Sequence, residues 1–198
     1  NINIVMEGAY KPVRKKFFAA LIIIACLSLP SLAADSPEYD LSRMRQMNPD
    51  FTTYPDSQGI IWLKKVNVSR SDNGGSQTTR LYVIRGRRGL NTRWLNWNIQ
   101  TPEGGNVEVL EASIYDANNG AKIGSVLPVQ DSDSGITHAD FSGLPDEFII
   151  AISWREELPE SLSIEGLCMF QEELHVWESM LEVVSPQKLI YKTFPERE

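Results

Sequence analysis

From Gly59 onward the apolar residues fall in short runs that alternate with polar ones or stand unbroken, separated by Gly, Pro, Asn and Asp. Ile60-Ile61-Trp62-Leu63 leads to Val66 and Val68, which alternate with Asn67 and Ser69. Asp72-Asn73-Gly74-Gly75 is a turn signal, because Asn and Gly tolerate positive φ. Residues 78–85 return as the second strand of a hairpin. After the break at Arg87-Arg88-Gly89-Leu90, residues 94–99 are expected as a strand, with Trp94 and Asn96 on one side and Leu95 and Trp97 on the other. Val107, Val109, Ala112 and Ile114 mark a further strand whose alternation slips near Leu110, which predicts a bulge. Residues 116–120 then turn the chain into Ala121-Lys122-Ile123, on an Asn-Gly pair. Residues 128–135 read as loop and residues 136–141 as a short strand. Residues 148–154 are nearly all apolar and are expected to be a buried central strand. Residues 167–176, 179–184 and 189–191 complete the set. Many short strands with turn residues between them and no long helical stripe predict an all-β, antiparallel β-sandwich over residues 59–198. Residues 34–58 are polar, carry Pro37, Pro49 and Pro55, and read as a lead-in segment with a short helix over 38–47.

The N-terminus carries a different pattern. Lys11, Arg14, Lys15 and Lys16 precede an uncharged apolar run over residues 17–29, then Pro30 and the small-residue step Ser31-Leu32-Ala33. That order is the order of a cleavable secretory signal helix, and it predicts cleavage after Ala33. The run is short against the roughly 20 apolar residues of a membrane span, so the processed chain is not expected to cross a membrane. The expected location is exported, in the periplasm or outside the cell. Ile23-Ile24-Ala25-Cys26 offers an alternative, in which a lipidated Cys26 anchors the chain, but the residues after it stay apolar where a lipoprotein turns polar. Residues 1–5 precede Met6 and lack signal character, so they are set aside as upstream read-through. The last run closes on Phe194-Pro195 and a charged stub, which leaves open whether the natural polypeptide continues past Glu198.

Charge narrows the partners. The whole chain carries −7, and taking away the +3 of residues 1–33 leaves −10. An acidic domain is a poor match for nucleic acid, whose phosphates need a basic surface, and for anionic lipid surfaces. With Cys26 removed in the signal, Cys168 stands alone and makes no internal disulfide, so about 165 residues must rest on their apolar core.

The run Phe51-Thr52-Thr53-Tyr54-Pro55-Asp56, followed by Ile60-Ile61-Trp62-Leu63 and the Asn73-Gly74-Gly75 turn, resembles the opening of an N-terminal domain of unknown function. In bacterial secreted proteins that domain precedes a transglutaminase-like core. Thr101-Pro102-Glu103-Gly104-Gly105, Leu110-Glu111-Ala112-Ser113-Ile114, Gly143-Leu144-Pro145-Asp146 and Val184-Ser185-Pro186 follow in similar order. His138, in Thr137-His138-Ala139-Asp140, departs from the aromatic expected there. The resemblance spans residues 50–195. It implies a noncatalytic β-sandwich accessory domain whose partner is a transglutaminase-like domain, in cis or in trans. The alternative is a free-standing glycan- or peptide-binding module of the cell envelope.

Candidate chemistry is sparse, and the sequence shows no cofactor motif. Cys168 and His175 are too far apart along an extended strand for a nucleophile and its base. His138 and His175 alone are too few ligands for a structural zinc. Asp131 and Asp133, in Asp131-Ser132-Asp133-Ser134-Gly135, resemble part of a calcium loop but lack its bidentate Glu; turns use the same residues for backbone reasons. Asp116-Ala117-Asn118-Asn119-Gly120 has the same ambiguity. Glu156-Glu157 and Glu172-Glu173 are expected on solvated faces, since adjacent strand residues point apart. Five tryptophans in an exported domain suggest a sugar-stacking platform, with Trp94 and Trp97 beside Arg93 and Asn96 as its candidates; the alternative is core packing, the usual fate of tryptophan.

Overall fold

The computed structural model describes residues 39–70, 72, 74–159 and 172–185. Among them a short helix, α1 (Leu41–Met47), precedes the strands. These are β1 (Gly59–Arg70), β2 (Ser76–Arg87), β3 (Asn96–Gln100), β4 (Asn106–Asp116), β5 (Lys122–Ser125), β6 (Val129–Asp131), β7 (Ile136–Asp140), β8 (Glu147–Leu158), β9 (His175–Val176) and β10 (Ser179–Val184). The larger sheet has the order β10-β1-β2-β8-β4-β5, with β9 also on β1; the smaller is β3-β7-β6. The two sheets pack face to face, so the domain is mostly β and sandwich-like.

The unbroken apolar runs have a simple cause. β1, β2 and β8 lie inside the larger sheet and are covered on both faces, so no polar alternation is needed. On the inner face Ile61, Tyr82, Ile84, Phe148, Ile150, Ile152 and Trp154 meet Ile99, Ala139 and Phe141 from the smaller sheet and its end. Each large side chain withdrawn in this way contributes roughly 1.5–3 kcal/mol. On the outer face the lead-in segment supplies the cover. The Trp62 indole Nε1 donates to the Pro49 carbonyl at 2.7 Å. The Arg85 guanidinium lies 5.5 Å from the Phe51 ring centre and 5.7 Å from that of Trp62, and it pairs with Glu147 at 2.9 Å. Met44 of α1 is buried as well.

Several expected elements appear with their bounds extended. The first hairpin joins β1 to β2, and the residue 148–154 run sits inside β8, paired on both sides. The register of β4 against β8 slips between Val109 and Glu111, the bulge expected at Leu110. The turn into β5 is held by the Asp116 carboxylate, which accepts from the Asn118 and Asn119 amides, and Gly120 takes a φ of 75°.

Three expectations are corrected. The sheet is not purely antiparallel: β9 and β10 run parallel to β1, with Lys64 beside Ser179 and Ser69 beside Val184. A parallel neighbour needs a crossover of a dozen or more residues, and the chain between β8 and β9 supplies that length. Residues 129–131, expected as loop, are β6. Trp94 is not in a strand but ends a 3-10 turn, Thr92–Trp94, because Asn91 Oδ1 accepts from the Arg93 amide and Leu95 N–H donates to the Thr92 carbonyl at 2.9 Å. Ala33, Cys26, Cys168 and the strand expected at 189–191 lie outside the described residues. Among the described residues no helix is long and apolar enough to cross a membrane.

Candidate functional site

The 3-10 turn decides the fate of the tryptophan pair. It breaks the two-residue alternation before β3 starts, so Trp94 and Trp97 meet in an edge-on pair, 6.1 Å between ring centres. Tyr82 completes the cluster, 5.0 Å from Trp97 and stacked at 6.0 Å on Trp154. Trp94 is 4% exposed and Trp97 is half-buried, its Nε1 donating to the Trp94 carbonyl at 3.0 Å. Arg93 and Asn96 are exposed, but Arg93 covers the Trp94 ring at 5.1 Å and pairs with Glu173 at 2.8 Å. The structure thus brings Trp94 and Trp97 together, Trp94 as core and Trp97 half-buried against it.

The acidic turn is likewise occupied by backbone duties. Asp131 accepts from the Asp133 amide at 3.0 Å and the Ser134 hydroxyl at 2.7 Å, and these bonds hold its carboxyl below the ordinary range. Asp133 is exposed beside it. No cluster of three or more potential metal ligands occurs among the described residues. His138 contacts the Asn98 side chain at 2.7 Å across β3 and β7, and His175 stacks on Tyr54 at 4.2 Å. An open cleft of about 630 Å³ lies at the strand ends near Ser69, Asn106 and Glu157, and Gln77 donates to the Glu157 carboxylate at 3.3 Å.

Glu172 departs from the expectation of a solvated face. Its carboxylate contacts the Lys64 ammonium, with the two side chains 9% and 5% exposed. Burial works against the Lys64 charge, but the bond to Glu172 and the neighbouring Tyr82 outweigh it and hold Lys64 above its ordinary value. Burial pushes the Tyr82 phenol up. Sequence spacing could not have paired residues 64 and 172; only the crossover places them side by side. Glu156 is also engaged, by Arg80 at 3.2 Å and by the Trp154 indole at 2.8 Å.

Among the described residues the far edge of the larger sheet is left unpaired. Trp177, in the link between β9 and β10, is 54% exposed. Met180, Leu181 and Val184 of β10 are 43%, 42% and 58% exposed. Among the described residues β10 pairs with β1 alone. Its main-chain directions follow from one bond: Lys64 N–H donates to the Glu178 carbonyl at 2.9 Å. With Lys64 beside Ser179, the parallel pattern turns Met180, Glu182 and Val184 toward β1. Ser179, Leu181 and Val183 therefore direct their N–H and C=O groups off the sheet. The sequence signal was present in the apolar run at 179–184, but the run could not say which strand would lie at an edge.

No family model and no curated protein matches this chain. Among solved structures it is similar to a Parabacteroides distasonis protein provisionally described as a protease. The TM-score is 0.55 at 10% identity, covering 66% of this chain and 29% of that one. It is also aligned to a zinc metallopeptidase from Deinococcus radiodurans, TM-score 0.28 at 14% identity, over 57% and 23% of the two chains. A third match is leukotriene A4 hydrolase from Saccharomyces cerevisiae, TM-score 0.28 at 17% identity, over 61% and 17%. The chain spans less than a third of the length of each. The first likeness is one of fold, and the scores of the other two are too low to support an argument. The expected partnership with a transglutaminase-like core is corrected by the first of these matches, whose fold leads to a protein described as a protease instead.

Proposed function

We propose that this chain is a noncatalytic, exported binding module of the cell envelope that takes up an extended polypeptide segment by adding it as a strand to β10. The observation that carries this reading is the open, apolar edge at β10, where Ser179, Leu181 and Val183 turn their main-chain groups outward beside exposed Met180, Leu181 and Val184. Main-chain bonds give such an edge its affinity and alternate side chains give it selectivity. The likeness in fold to a protein described as a protease agrees with a polypeptide ligand. The signal-like pattern of residues 11–33 supports export.

The test uses an end-capped peptide of alternating Thr and Val, titrated into the full chain and read by calorimetry. Saturable binding is expected. Leu181→Pro removes one outward N–H and leaves the β1 ladder intact, since proline is tolerated at sheet edges. Losing one such bond costs about 1 kcal/mol, or roughly fivefold in affinity. Absence of saturable binding, or a Leu181→Pro variant that stays folded by circular dichroism and binds as tightly as the parent, would overturn the reading.

A further inference from the structure

The β10 edge is not uniformly apolar. Glu182 sits at its middle, exposed, and makes no ion pair among the described residues. Side chains alternate across a strand. Glu182 therefore shares a face with Met180 and Val184, next to Lys65, Asn67 and Ser69 of β1. Leu181 and Val183 lie on the other face, next to Val66 and Val68. An incoming strand thus meets apolar, acid and apolar positions in order on one face, and Ser179 followed by apolar Leu181 and Val183 on the other.

We propose that the edge selects a segment with a Lys or Arg opposite Glu182 and apolar residues on either side of it; this rests on strand addition at β10. Opposite charges in cross-strand register stabilise a pair of strands, and like charges there destabilise it. The same carboxylate acts against wrong partners. Two copies of β10 pairing antiparallel in the register that sets Glu182 opposite itself would bring the two carboxylates together, in chains that each carry −7. Charges on edge strands commonly prevent such self-pairing. A cationic segment is the occupant that removes the cost, because it meets the Glu182 carboxylate on a chain of net negative charge.

The experiment compares three end-capped peptides of one apolar frame, with Lys, Gln or Glu at the central position. Each is titrated into the full chain and into Glu182→Lys and Glu182→Gln variants. On the parent chain the Lys peptide should bind at least about fivefold tighter than the Glu peptide, with Gln between. The order should reverse on Glu182→Lys and flatten on Glu182→Gln, and the Lys preference should shrink as salt is raised. Three equal affinities on the parent, unchanged in Glu182→Lys, would overturn the charge selection and leave strand addition standing. No binding by any peptide would overturn strand addition itself, and the selection with it.

Discussion

Removing the Glu172 carboxylate should leave the Lys64 ammonium buried without its counter-charge. Lys64 and Glu172 are 5% and 9% exposed at their side chains, and the ammonium also lies 5.5 Å from the Tyr82 ring centre. At about 4 Å and an effective dielectric near 20, two unit charges attract by about 4 kcal/mol. Desolvation offsets much of that gain in the intact pair, but without the carboxylate Lys64 keeps the penalty and loses that attraction. Glu172→Ala should therefore cost about 3 kcal/mol. Lys64→Met should cost slightly less, because Glu172 lies nearer to solvent. Replacing both, as Lys64→Met with Glu172→Leu, should cost under about 1 kcal/mol, since apolar substitutes of similar volume often match a buried pair. Urea denaturation monitored by tryptophan emission measures all four corners of the cycle. For a domain of this size the single change should lower the thermal midpoint by roughly 6–12 °C. A Glu172→Ala variant within about 1 kcal/mol of the parent, or a double variant as unstable as the two singles added, would refute the reasoning.

Three further outcomes follow from the same packing. Gly86 of β2 lies under the Phe148 ring, where an added Cβ would collide with ring atoms; Gly86→Ala should cost about 1–3 kcal/mol by chemical denaturation, partly recovered by Phe148→Leu. Trp94→Ala should cost about 3–5 kcal/mol in the same assay and leave peptide affinity at β10 unchanged, because Trp94 is core. Lys64 and Tyr82 both hold their protons more tightly when folded, so their contribution is complete below about pH 10 and drains as the pH rises beyond it. Alkaline titration of the parent should accordingly show a loss of stability that Lys64→Met reduces.

The strand-rich class, the first hairpin, the buried course of β8, the bulge at Leu110 and the turn at Gly120 are all legible in the order of residues. Each is a local matter: alternation, apolar run length or the φ preference of Asn and Gly acts within a few residues. Tertiary structure decided the rest. An apolar run such as 179–184 has the same composition whether it lies inside a sheet or at its rim, and only the crossover from β8 placed β10 beside β1 in parallel. The same crossover turned Glu172 from an expected surface charge into the buried partner of Lys64. Trp94 and Trp97 were legible as aromatic and adjacent. Trp94 lies in a turn, capped by an Asn91 bond, where alternation predicted a strand. The open edge at β10 was hidden for the same reason, since exposure belongs to what a strand fails to pair with, and that is a property of the assembled sheet.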